Sequence, residues 1–331
     1  MAVASVAAAG CETQDDPASS GASPELREWR HQISQVARPG DGCFHASYPD
    51  MTWQAVPCQS TPAPDRAYWP RSSGLAPPTI PPGATVGNGV DVSAAAPAPL
   101  AWARGSFDEV IDVTSESSPT GANHYSLQLN TQYFPTVACG GSCRGFEQFI
   151  YESSGVGFMQ YWMLDYGIGS AKCPSGWTRY PSGIEVHCFM NSRRSVGVPA
   201  LPVSSLADAE LLGVAYSSGD AVEVAVNGNV YAVSGDNRFP DLYQRWTTAE
   251  FNIFGDGNGD QAKMNLGAVL FVRTEVQTAA ANTPSVDSEG FTADMNNMKI
   301  LAGTAAVVPA QFDPYGDEEA PPAVTFVEAY E

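Results

Sequence analysis

The sequence predicts an all-β protein: an antiparallel β-sandwich preceded by a small helix-containing segment. Three observations predict it. First, alternating apolar and polar runs recur, as in "YSLQLNTQYF" (125–134), "FEQFIYE" (146–152), "VGFMQYWMLDY" (156–166) and "AVLFVRTEV" (268–276). A period of two is that of a strand with one face on a core. Second, Asn227-Gly228 separates two such runs in "DAVEVAVNGNVYAVSG" (220–235), the two-residue signal of a type I′ hairpin. Third, the chain is rich in Gly (31) and Pro (26), which suits many short strands joined by turns better than helices.

The elements follow in order. Residues 1–22 are Ala, Ser, Gly and acids without periodicity and read as a disordered leader. "SPELREWRHQISQVA" (23–37) is the strongest helix, with Ser23 as cap, Pro24 in the first turn, and Leu26, Trp29, Ile33 and Val36 on one face. It opens a small module, 23–60, that ends in an aromatic-rich knot. Residues 61–88 read as a Pro-rich linker; nine prolines fall within 61–100. The sandwich is expected over 89–310, and 311–331 form an acidic tail.

Charge narrows the partners. There are 36 acidic against 16 basic residues, a net charge of −20. A phosphate backbone needs a basic surface, so nucleic acid is not expected as a partner. No apolar run is long enough to span a bilayer. "AAGC" ends a short apolar run like the end of a bacterial lipoprotein signal, with Cys11 as the lipidated residue. A truncated leader explains it equally well.

The other six cysteines fall into close pairs, Cys43/Cys58, Cys139/Cys143 and Cys173/Cys188. Local pairing would give three disulfides and a secreted or cell-envelope setting. Zinc spacing is not met, because only 139 and 143 are close enough. No metal or cofactor is expected.

Several catalytic motifs are missing: G-x-S-x-G, H-E-x-x-H, a P-loop, and G-x-G-x-x-G after a strand. The four histidines (31, 45, 124, 187) are scattered. "GDGNGD" (255–260) begins like a calcium loop, but Gln261 and Gly267 stand where Gly and a bidentate Glu are needed, so a surface turn is the better reading. Two carboxylates inside strands remain. Glu147 shares a strand face with Phe149 and Tyr151, and Glu250 with Asn252 and Phe254. If those faces meet in one partly dry groove, the two acids are pushed to different pKa values and can act as acid and base.

The order of these segments resembles a family. A cysteine-bounded turn, a strand with an acid, "QYWMLDYG", then "RWTTAEFNIFG" followed by "LGAVLFVRTEV" looks like the neprosin-type glutamic peptidases. The fungal eqolisins are similar in arrangement. The resemblance covers roughly 88–300; Thr-Ala before Glu250 departs from it, since more Gly is expected there. It implies a concanavalin-like, jelly-roll sandwich and a metal-independent endopeptidase working in acid, often near proline. It also implies an N-terminal segment removed on activation, here within 1–90. Glu147 and Glu250 take the two catalytic places. Eqolisins carry Gln at the first, and Gln148 is one step away; strand alternation lets only one of Glu147 and Gln148 face the groove, and Glu147 is taken as that residue. Gln148, Tyr151, Tyr161, Trp162 and Asn252 are expected to contact a peptide or protein substrate, and the protein to be a monomer. Rival readings are a non-catalytic carbohydrate-binding module, a glycoside hydrolase and a structural envelope protein.

Overall fold

The computed structural model describes residues 22–63, 66–71, 83–141, 143–278, 282–312 and 318–331. Cys11 and the rest of 1–21 lie outside them. Helix α1 (Pro24–Gln35) starts where the cap predicts: Leu26 N–H donates to Ser23 Oγ at 3.3 Å, with Pro24 in the first turn. The first strands are β1 (Gly42–Ser47), β2 (Val90–Ala95), β3 (Leu100–Ile111), β4 (Tyr125–Thr131), β5 (Arg144–Glu152), β6 (Val156–Ile168) and β7 (Glu185–Asn191). Then come β8 (Glu210–Tyr216), β9 (Gly219–Val226), β10 (Asn229–Asp236) and β11 (Thr248–Gly255). The last are β12 (Val269–Thr278), β13 (Ser285–Glu289), β14 (Met295–Ile300) and β15 (Ala323–Ala329).

Two antiparallel layers result. The front one runs β7–β6–β5–β4–β11–β2–β13. The back one runs β1–β10–β9–β8–β3–β12–β15. They continue into one another along a single edge, where β14 pairs with β15 and with the short strand Thr85–Gly87. The arrangement is predominantly antiparallel β-strand, with one parallel pairing, Gln261–Met264 along β14, and it is neither closed nor strongly curled. Between β9 and β10, Asn227 and Gly228 both have positive φ (49° and 74°), as the hairpin signal requires.

The core lies between the layers. Leu127, Leu129, Phe149, Phe251 and Ile253 of the front meet Phe107, Leu211, Val222 and Val272 of the back. Each such burial contributes about 1.5–3 kcal/mol. The approach is close enough to need glycine at two points. A Cβ on Gly213 would come within 2.4 Å of the Phe149 ring, and one on Gly105 within 1.9 Å of the Phe251 ring.

The N-terminal segment is built onto the back layer. Strand β1 pairs along β10, and α1 packs Trp29 and Ile33 against Phe44, Ala225, Val230 and Ala232. Arg30 is buried there and paired with Glu210 at 2.7 Å. At the other end, the acidic segment 311–331 contains β15, which pairs with β12. Three disulfides form, Cys43–Cys58, Cys139–Cys143 and Cys173–Cys188, and fit an oxidising, extracytoplasmic environment. Among the described residues no helix is long and apolar enough to cross a membrane.

Candidate active site

Residues directly opposite one another in a sheet share a face. On β4, Asn130 is opposite both Gln148 of β5 and Glu250 of β11; Gln128 is opposite Ile150 and Asn252; across β5, Gln148 is opposite Gln160 of β6. These side chains, with Trp162, form the outer face of the front layer. The intervening residues, Leu127, Leu129, Phe149 and Phe251, form the core.

This register corrects the expected dyad. Glu147 is opposite Tyr161 and points between the layers, away from Glu250. Its carboxyl faces Asp220 and Asp236 of the back layer, and neither of its oxygens has a hydrogen-bond partner among the described residues. Desolvation first, then those two acids, push its pKa well above the carboxylate range. Asp220 is raised too, by burial and by Asp236. Tyr161 lies on the same inner face, as does Tyr151, whose hydroxyl donates to Pro199 O at 2.9 Å. Neither tyrosine can wall an outer groove: in strands of strict alternation, Tyr161 and Trp162 cannot face the same way.

Gln148 occupies the place expected for Glu147. Its amide nitrogen donates to Asn130 Oδ1 at 3.1 Å and to Gln128 Oε1 at 3.0 Å, and its oxygen accepts from Trp162 Nε1 at 3.1 Å. Asn130 in turn donates to Glu250 Oε2 at 2.9 Å, and Phe291 N–H donates to the same oxygen at 3.0 Å. The other oxygen of Glu250 lies against Gly290, where a Cβ would sit 3.1 Å away. Burial raises Glu250 to about 7 despite those donors and the nearby Arg71. Asn252 is on this face but is turned to Glu328 Oε2, 3.0 Å away. So Gln148, Trp162 and Glu250 come together around Asn130, Asn252 lies beside them, and Glu147, Tyr151 and Tyr161 are apart.

The face is covered, which sequence reasoning missed. Residues 66–71, "RAYWPR", lie across it and bury Ala67 and Tyr68. Tyr68 N–H donates to Gln160 Oε1 at 2.8 Å, Ala293 N–H to Trp69 O at 2.7 Å, and Arg71 N–H to Phe291 O at 3.0 Å. Ala67 packs with Trp162, Phe189 and Phe291. The only signal was a pair of aromatics and two arginines inside a proline-rich stretch. "GDGNGD" also proves to be a clamp: Asn258 N–H donates to Ala67 O at 2.6 Å, and Ala67 N–H to Asn258 Oδ1 at 3.2 Å.

Beside the cover, a cavity of about 200 Å³ is lined by Trp69, Pro70, Arg71, Arg144, Asp165 and His187 among others. Asp165, Glu185 and His187 bring ligand-type atoms within 4.8 Å of one another. His187 Nδ1 accepts the Asp165 backbone N–H at 2.9 Å, which leaves the ring proton on Nε2, and Arg144 holds Asp165 Oδ2 at 2.6 Å. A larger cavity, about 660 Å³, lies between α1 and the back layer, where Arg104 is shared between Glu210 and Glu275 and Arg273 is paired with Asp108.

No family model matches the chain, and no curated protein or solved structure does either.

Proposed function

We propose that this chain is a glutamic-type endopeptidase acting in acid, in its covered form, with Glu250 and Gln148 as the reacting pair. One observation carries the reading: Glu250 and an amide of fixed orientation, one residue apart through Asn130, lie on a single face beneath an extended segment of the chain itself. The segment is held through its backbone, as a peptide substrate would be.

The chemistry follows from the groups present. With the cover in place, burial keeps Glu250 protonated below about pH 7. Removing residues 66–71 rehydrates the carboxyl and lets it fall toward the ordinary range near 4.3. The ionised Glu250 then takes a proton from water as it attacks the scissile carbonyl, and returns it to the leaving amine. The Gln148 amide offers N–H to the developing oxyanion, in place of the bond it gives Asn130 or Gln128. Trp162 fixes that amide from the other side. Assignment of the two layers to the concanavalin-like, jelly-roll class, and secretion with removal of part of 1–90, belong to the same proposal.

The test is cleavage of a denatured, proline-containing protein from pH 3 to 7, before and after limited acid treatment, with fragments identified by mass spectrometry. Acid-limited cutting by the wild type that disappears in Glu250→Gln supports the reading. Cutting that survives in Glu250→Gln overturns it.

A further inference from the structure

The covering segment also reports what its cleft selects. Its backbone bonds would hold any extended peptide, so selection must come from side chains. Tyr68 is fully buried, with its ring against Ile150 and Phe158. Its hydroxyl donates to Glu152 Oε1 at 2.6 Å and lies 3.5 Å from Asp256 Oδ1. Arg66 reaches the same two acids, at 2.8 Å from Asp256 and 3.7 Å from Glu152. At the other end, Arg71 pairs with Glu289, and its carbonyl accepts from Tyr133 Oη at 2.9 Å. Trp69 lies on Tyr180, with ring centroids 4.7 Å apart.

Glu152 and Asp256 belong to the wall, and both are almost wholly buried. Without Arg66 and the Tyr68 hydroxyl, these two acids would face whatever enters the cleft, with His124 as the neighbouring base, 3.8 Å from Asp256. Such a pair demands a cation and a donor from whatever replaces the cover. The surrounding chain is strongly acidic, yet this six-residue segment carries two of its 16 basic residues.

We propose that the cleft selects extended peptides bearing a basic residue two positions before a tyrosine and a second basic residue three positions after it, the pattern Arg-x-Tyr-x-x-Arg of its own cover. The proposal rests on reading this face as a peptide site and names the class of peptide. An acidic peptide would bring like charge to Glu152, Asp256 and Glu289, and a phenylalanine would leave a buried carboxylate without its donor.

The experiment uses the full chain with Arg66→Ala and Tyr68→Ala, which loosen the cover. A fluorescent Arg-Ala-Tyr-Trp-Pro-Arg peptide is titrated at pH 7.5, where Asp256 is ionised, and followed by anisotropy, beside versions with Tyr replaced by Phe and with both Arg replaced by Glu. The parent should bind about tenfold more tightly than the Phe version, and more tightly still than the Glu version. Adding Glu152→Leu, which leaves no acceptor for the hydroxyl, should remove most of the preference for Tyr. Equal affinities, or no binding by any of the three, would overturn the proposal. Should the double variant fail to fold, amide exchange in the wild type gives the same answer: excess parent peptide should speed exchange at Tyr68, and the Glu version should not. Equal rates with both would overturn it. Binding in the expected order without cleavage retires the peptidase and leaves this selectivity standing; cleavage indifferent to these residues does the reverse.

Discussion

Gln148 and Glu250 stand on strands that flank β4 and share one neighbour between them, Asn130, which accepts from the glutamine amide at 3.1 Å and donates to the glutamate at 2.9 Å. If these two do the chemistry, Glu250→Gln should abolish acid peptidase activity, and Gln148→Ala should lower kcat by about 10²–10³, the loss typical of removing an oxyanion donor. Glu147→Gln, one residue away but on the other face, should leave kcat/KM within about twofold of the wild type's at pH 4. Steady-state assays on the three variants decide it.

Stability should fall as pH rises. Buried Glu250, Glu328 and Glu116 are raised to about 7, and Asp256 to about 6. A carboxyl raised in the folded state keeps its proton after the unfolded chain has lost it. Its contribution is fully present below the ordinary value and is lost as pH rises through the folded pKa. Each such proton lowers stability by about 1.4 kcal/mol per pH unit in that window. Urea denaturation should therefore give higher stability at pH 4.5 than at pH 7. A flat profile across that range would contradict the burial described.

Glu147 contributes to the same slope from within the core. Glu147→Gln removes the ionisable group facing Asp220 and Asp236. The gap between stability at pH 4.5 and at pH 7 should narrow in the variant, whatever its absolute stability. Denaturation at the two pH values measures the change directly.

Loosening the cover should expose the site. Tyr68→Ala removes the buried ring and its bond to Glu152. At pH 5 the variant should start cutting without the lag expected of the wild type. The fluorescence of Trp69 and Trp162 should shift to the red as the pair is wetted. A variant with wild-type lag and emission would mean that residues 66–71 do not guard the cleft.

Close approach of the layers gives a structural test. Gly213→Ala would press a methyl into the Phe149 ring. Overpacking of this kind costs about 1–3 kcal/mol. Thermal unfolding should show a clear drop in midpoint for this variant.

Much of the fold was legible because alternation and turn chemistry are local. "VNGN" carries its hairpin in two residues, and the cysteine pairs close over 4 or 15 residues. The choice between Glu147 and Gln148 was not local. Both neighbours flank a strand register whose two faces are each occupied, one by Leu127, Leu129 and Phe149, the other by Gln128, Asn130 and Gln160. A polar face buried under chain from elsewhere gives no contrast of hydrophobicity to read. The same blindness hid "RAYWPR": proline-rich composition marks extended backbone, but not what the backbone lies on.

The way β1 is held has a consequence for how the protein would mature. It is hydrogen-bonded along β10, while the Cys43–Cys58 bridge closes within its own segment. A break in the chain between 71 and 83 would thus yield two polypeptides joined by no covalent bond yet still sharing one sheet. They should travel as a single species in gel filtration and separate into two bands once denatured, even without reductant. Until it is removed, the N-terminal piece of such a nicked form would stay as a resident subunit, able to hold or release its own C-terminal end from the cleft.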